Sequence, residues 1–136
     1  MAKTFLLEII SSDRVFFTGQ CESLVIPGID GEHGVLANHE RSVTCLSSGE
    51  LKYKIDGEWR YAAVSDGYAE ISGDRVVIIA DTVERPEEID VKRAEEAKQR
   101  AEERLRQKQS IMEYYHTQVA LNKAMNRLKV NQRNFK

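Results

Sequence analysis

Apolar and polar residues follow two different periods along this chain. From Glu50 to Ile55 they alternate, with Leu51, Tyr53 and Ile55 on one face; after Asp56-Gly57 the alternation resumes through Trp59, Tyr61 and Ala63. A period of two belongs to a half-buried strand. Asp-Gly between two such runs predicts a two-residue type I′ hairpin turn, whose central positions both need positive φ. The same reading predicts strands over 4–10, 14–18, 21–26, 34–37, 43–46, 68–71 and 75–80. Gly19, Gly49, Asp66-Gly67 and Ser72-Gly73-Asp74 punctuate them. Many short strands with closely spaced turns predict an antiparallel β-sandwich or flattened barrel.

Near Pro86 the period changes. All eight glycines lie between Gly19 and Gly73, and Pro27 and Pro86 are the only prolines, so turn-rich structure gives way to helix at that point. Glu87, Glu88 and Asp90 place acids where a helix macrodipole favours them. Val91, Ala94, Ala97/Lys98, Ala101 and Leu105 then form a narrow, alanine-rich stripe at spacings of three and four. A second helix is predicted to carry Tyr114, Leu121, Met125 and Leu128 along its apolar side, with a reversal over Gln107–Ser110. The expected fold is therefore α+β: an N-terminal antiparallel β-sandwich over 1–85, then a two-helix antiparallel hairpin over 86–136. So small an apolar stripe predicts a marginally docked, movable hairpin.

Composition narrows the class of protein. Of 136 residues, 41% are apolar and 31% charged, a globular balance. No apolar run reaches the roughly 20 residues of a membrane span. Met1-Ala2-Lys3-Thr4 leads straight into a strand, so no signal peptide is expected. Cys21 and Cys45 lack a C-x-x-C spacing and are expected to be two buried thiols in a reducing compartment. A cytosolic chain is expected, with no direct membrane insertion and any membrane association made through a partner. The net charge of −2 hides an asymmetry. Residues 1–85 carry 8 Lys and Arg against 14 Asp and Glu, residues 86–136 carry 12 against 8, and no acid follows Glu113. Such a basic tail suits an acidic partner or phosphates, or simply forms a solvated helix face. A nucleic-acid binder would need aromatics or a basic groove on the sandwich, and that domain is acidic.

No catalytic constellation is present: there is no phosphate loop, nucleophile elbow or H-E-x-x-H pair. Gly28, Gly31 and Gly34 have G-x-x-G-x-x-G spacing with no following helix, which predicts a structural loop instead of a dinucleotide cradle. His33 and His39 with Asp30 or Glu32 have no metal-ligand spacing, so surface positions are expected. The hairpin is more suggestive. A reversal near residue 110 sets Arg93 opposite Arg127 and Lys123 opposite Ala97. Arg93 and Arg100 then share a face over roughly 10 Å, and four cations converge within the span of a triphosphate, with Asp90 nearby.

The motifs, in order, resemble the ATP synthase epsilon chain family. The resemblance runs through Val25-Ile26-Pro27-Gly28, Gly31-Glu32-His33-Gly34-Val35-Leu36 and His39, then Gly49-Glu50-Leu51, Asp66-Gly67-Tyr68-Ala69-Glu70-Ile71 and Val76–Thr82. It continues through Ile89-Asp90-Val91-Lys92-Arg93-Ala94 and closes on Ala120–Leu128. It implies a non-catalytic subunit of the proton-translocating ATP synthase at the cytoplasmic face of the cell membrane, held there peripherally. The sandwich would bind the gamma subunit and rest on the c-ring through Asp30, Gly31, Glu32 and His33. The hairpin would switch between a compact form and an extended form that reaches the alpha/beta catalytic head and obstructs hydrolysis. In bacillus-like members the Ile-Asp-x-x-Arg-Ala signature belongs to an ATP site that stabilises the compact form. By that resemblance ATP is a regulatory ligand, with no catalytic cofactor, and its site comprises Glu84, Ile89, Asp90, Arg93, Ala94, Arg100, Lys123 and Arg127. The chain departs from that group at Lys123, where an arginine is common; lysine lacks arginine's planar fork. A stand-alone ATP-sensing module is the alternative.

Overall fold

A computed structural model describes residues 3–107 and 111–135. The chain forms two compact units, residues 1–84 and 85–136.

The first unit holds ten strands: β1 (Phe5–Ser11), β2 (Val15–Cys21), β3 (Ser23–Gly28), β4 (Gly31–Val35), β5 (Ser42–Leu46), β6 (Gly49–Ile55), β7 (Glu58–Val64), β8 (Gly67–Ser72), β9 (Arg75–Ala80) and β10 (Val83–Glu84). Their order is β10-β7-β6-β3-β5-β8-β9-β1-β2, with β4 on β3. β3 and β5 pair at Gly28–Leu46, flanked by bonds from the Ile29 amide to the Cys45 carbonyl and from the Ser47 amide to the Pro27 carbonyl, and the strands form a two-layered sandwich. Every pairing is antiparallel except β1 with β9, which run parallel because the chain returns to the first strand from the far side. β10 escaped the sequence reading; two residues are too short to show a period.

Alternation builds the core. In β1 the residues Phe5, Leu7 and Ile9 are buried while Leu6, Glu8 and Ile10 are partly open. They meet Leu24, Ile26, Leu51, Tyr53, Ala69, Ile71, Val76 and Ile78 from both layers. The β6–β7 turn has positive φ at Asp56 (49°) and Gly57 (79°), as a type I′ turn requires. Phe17 and Tyr53, 5.3 Å apart between ring centroids, pack β2 against β6. The expectation of two buried thiols holds only for Cys21, whose Sγ donates to the Ser23 carbonyl at 3.0 Å; burial raises its pKa. Cys45 is exposed, because in β5 Leu46 points inward and Val43 and Cys45 alternate to the outer face.

In the second unit Pro86–Glu88 forms a 3-10 turn, followed by α1 (Val91–Arg106) and α2 (Ile111–Asn131). Gln107 caps the C-terminus of α1; the rest of the expected reversal, 108–110, lies outside the described residues. The buried residues of α1 are Ala94 and Ala101, as its stripe predicted, although Val91 is exposed. For α2 the expected apolar side is corrected. Tyr114 and Met125 are exposed and Leu121 and Leu128 only half-buried, while Thr117, Ala124, Val130 and Asn131 are buried. Small residues win this face because Thr117, Ala124 and Asn131 recur every seven residues and let α2 approach the alanines of α1.

Gly67 separates backbone necessity from mere convenience. A Cβ there would run into the Ile79 carbonyl oxygen and the Ala80 Cα, whereas one at Gly34 meets nothing within 4 Å. Gly67→Ala should destabilise the sandwich by roughly 1–3 kcal/mol, and Gly34→Ala should stay within about 0.5 kcal/mol of the parent. Denaturant unfolding of both variants checks this; equal midpoints would show that β8 and β9 separate freely.

Candidate functional site

Two places gather the residues singled out from the sequence. The first is the β3–β4 hairpin. Read as a loop, Pro27–Gly34 is in fact mostly strand: Gly28 pairs with Gly31, leaving Ile29 and Asp30 at the apex. Gly31 takes φ of 128°, which only glycine adopts readily. His33 turns back so that its Nε2 lies 2.8 Å from Asp30 Oδ1, and its ring sits where a Cβ on Gly28 would be. With Asp30 ionised, the Nε2–H donates to it. That hydrogen bond is the main reason the Asp30 carboxyl titrates below its ordinary 3.8, followed by a backbone bond and the imidazole charge. Glu32 is exposed and lies 3.8 Å from Lys52 Nζ. Ile29 is 71% exposed. The result is an acidic apex with one bare aliphatic side chain, ordered from within. His39 is not part of it; its Nδ1 lies 2.7 Å from the Glu40 carbonyl. Among the described residues no group of three or more His, Cys, Asp or Glu gathers as metal ligands.

The second place is the helical hairpin. Arg85 accepts from the Glu88 amide through its carbonyl, and its own amide and guanidinium donate to Glu88 Oε1 at 3.0 and 3.3 Å. This turn ends on buried Ile89, and Asp90 then caps α1, its Oδ1 accepting from the Arg93 amide at 3.1 Å. Two observations set the register of the helices. Ala97, Arg100, Ala101 and Arg104 line one cleft of about 650 Å³ with Met112, Glu113, His116, Thr117 and Ala120. At the other end the Asn131 side chain donates to the Pro86 carbonyl at 3.0 Å.

Ala101 therefore lies across from Thr117 and, one heptad on, Ala94 across from Ala124. This shifts the expected pairing by about two residues, half a helical turn. Lys123 comes level with Glu95 instead of Ala97, and Arg127 level with Val91 instead of Arg93. Packing of small residues sets this alignment. Arg93, Arg100, His116 and Lys123 each immediately precede a seam residue, and in an antiparallel pair such positions share one edge. Arg93 and Arg100 are exposed; Lys123 and Arg127 are half-buried. Glu84 pairs with Ala63 in the β-unit. Arg104 and Asn131 escaped the sequence reading; the heptad from Thr117 through Ala124 to Asn131 was the signal for the second.

Residues 4–86 match the family described as ATP synthase, Delta/Epsilon chain, beta-sandwich domain. Residues 87–132 match ATP synthase, Delta/Epsilon chain, long alpha-helix domain. The chain belongs to the ATP synthase epsilon chain family. An epsilon chain of Ruminiclostridium cellulolyticum is 48% identical over 96% of this chain and 97% of its own length. One from Desulforamulus reducens is 44% identical over 95% and 98%. The fold resembles a chain of the Euglena gracilis mitochondrial ATP synthase (OSCP/F1/c-ring), with a TM-score of 0.80 and 24% identity over 90% of this chain and 78% of that one. It also resembles a chain of the Tetrahymena thermophila enzyme (central stalk/c-ring), with a TM-score of 0.71 and 8% identity over 96% and 98%. As an epsilon-family member this chain has no described helix long and apolar enough to cross a membrane.

The Asp30–His33 bond has a direct readout. Because the folded pKa of Asp30 is depressed, what the bond contributes is present above the unfolded pKa and disappears as pH falls through the folded one. An NMR carboxyl titration should give Asp30 a midpoint below 3.8, and His33→Ala should return it towards 3.8. A midpoint that His33→Ala leaves in place would remove the histidine as the cause.

Proposed function

We propose that this chain is a non-catalytic subunit of the ATP synthase central stalk, held peripherally at the cytoplasmic face of the cell membrane. In this reading the β-unit binds the gamma subunit, and the apex from Asp30 to His33 meets the c-ring. The helical hairpin regulates ATP hydrolysis. Closed, it binds ATP; extended, it reaches the alpha/beta catalytic head and obstructs turnover. Family membership supports the assembly, and the Euglena OSCP/F1/c-ring and Tetrahymena central stalk/c-ring assemblies that hold the similar chains agree with it.

The observation that carries the regulatory half is the hairpin's seam together with its cationic edge. Arg93 and Arg100 stand two turns apart on α1, Lys123 lies within about two residues of the first's level across the seam, and Arg127 sits a turn away at the level of Val91. Such a row suits a triphosphate, and a ligand that spans both helices binds only while they lie together. Glu84, Ile89 and Ala94 complete the proposed site on the family signature. ATP then acts as a conformational ligand, not as a substrate. The competing reading, a stand-alone ATP sensor, is decided by whether the chain purifies with a rotary head.

Charged hydrogen bonds contribute about 1.5–3 kcal/mol, so Arg93→Ala should weaken ATP binding roughly ten- to a hundredfold by calorimetry. Lys123→Arg should tighten it, since arginine's fork grips phosphate at two points. Unchanged affinity in Arg93→Ala would take this edge out of the site. Truncation before Ile89 should relieve inhibition of hydrolysis in the assembled enzyme and leave assembly intact. A truncated complex as inhibited as the full-length one would move the regulatory role elsewhere.

A further inference from the structure

The hydrogen bond from Asn131 to Pro86 joins the last residue of α2 to the turn that precedes α1, 45 residues earlier in sequence. Asn131 is buried, at 9% exposure, an uncommon position for an amide side chain unless it is bonded. Its partner is a backbone carbonyl that, among the described residues, otherwise accepts a long bond, 3.4 Å, from the Ile89 amide. Pro86 has no N–H and a restricted φ, so its carbonyl direction is set by the turn that Arg85 and Glu88 close on either side. Immediately after this turn come Ile89, extended and buried, and Asp90, the residue that caps α1.

We propose that Asn131 is a positioning residue for the nucleotide site. By holding the Pro86 carbonyl it fixes the path of Ile89 and Asp90, so that the N-terminal turn of α1 takes its ligand-binding form only while the last turn of α2 is docked. This rests on the ATP reading above and deepens it, because it names the contact through which the far end of α2 controls residues on α1. When α2 leaves, the Pro86 carbonyl keeps its long bond to Ile89, but the turn loses the restraint that aims Asp90 at the Arg93 amide. Val130, beside Asn131 in sequence, is fully buried as well.

The test uses the full chain and two variants. Asn131→Leu keeps most of the bulk and removes the donor; Asn131→Asp keeps the shape and, ionised, can only accept. Hydrogen exchange is measured at the amides of Ile89, Arg93 and Ala94, and in the seam at Ala97, Ala101 and Ala120. Both variants should raise exchange at the first group and leave the second protected, and both should weaken ATP binding about three- to tenfold, as the loss of one neutral hydrogen bond implies. Exchange that rises equally along both helices would make Asn131 a general packing residue and overturn the proposal. So would unchanged exchange at Ile89 and Arg93, or an effect confined to the aspartate variant. A parent chain that binds no ATP would sink the nucleotide reading alone, because the exchange pattern decides the Asn131 contact without it.

Discussion

The closed hairpin depends on a seam of small side chains. Ala94 and Ala101 on α1 and Ala124 on α2 are buried, and Thr117 and Asn131 continue the same heptad. Burial of one methyl-sized group is worth about 0.8 kcal/mol, so the three alanines together provide roughly 2–3 kcal/mol. Larger apolar residues, Met112, Tyr114, Tyr115 and Met125, stay outside the seam and are exposed. Close approach is what alanine permits, and a small driving force is what it costs. A ligand at a hundred times its dissociation constant adds about 2.7 kcal/mol to the state that binds it. The two quantities are of similar size, so a nucleotide bound as proposed would be able to tip the hairpin's state.

The β-unit stands at the other extreme. Its core draws Phe5, Leu7, Ile9, Leu24, Ile26, Leu51 and Ile78, all at most 2% exposed, from strands in both layers. Pairing of β1 with β9 ties residues at the start of the unit to residues near its end, so the sheet gives way as a whole or not at all. A unit of that kind suits an anchor whose contacts must persist while an attached element changes state. The β3–β4 apex follows the same logic on a smaller scale. It is ordered by its own glycine, histidine and aspartate, and therefore presents a fixed shape whatever the hairpin does.

Strands were legible because one buried face imposes a period of two over five to seven residues, as in Glu50–Ile55. β10 was not, since two residues carry no period. The Pro27–Gly34 segment looked like a loop because its glycines mask a hairpin whose turn lies between two of them. Cys45 was misplaced because its identity suggested burial while its parity in β5 pointed outward. In α2 the eye followed size, through Tyr114 and Met125, whereas packing followed spacing through Thr117 and Ala124. The family signature pointed to Asp90 and Arg93, and the cations on both helices could be read in outline. The register was legible to within two residues, because its fine setting comes from seam residues and from a carbonyl at Pro86 that no side-chain pattern reveals.

Position 123 now takes on a specific meaning. Lys123 sits within about two residues of Arg93's level on the edge proposed for the nucleotide, and its ammonium is a point charge that cannot grip two phosphate oxygens in one plane. If the nucleotide binds as proposed, a weaker contact would shift the population less, and the closed form would draw more of its stability from the hairpin itself. Linkage then limits the partner as well. Any surface that binds the separated helices weakens the nucleotide by the same factor that the nucleotide weakens it. On the proposed reading, a chain with a lysine at this place and a bonded asparagine at the base of α2 would be balanced more by its own packing, and less by nucleotide concentration, than one with arginine at 123.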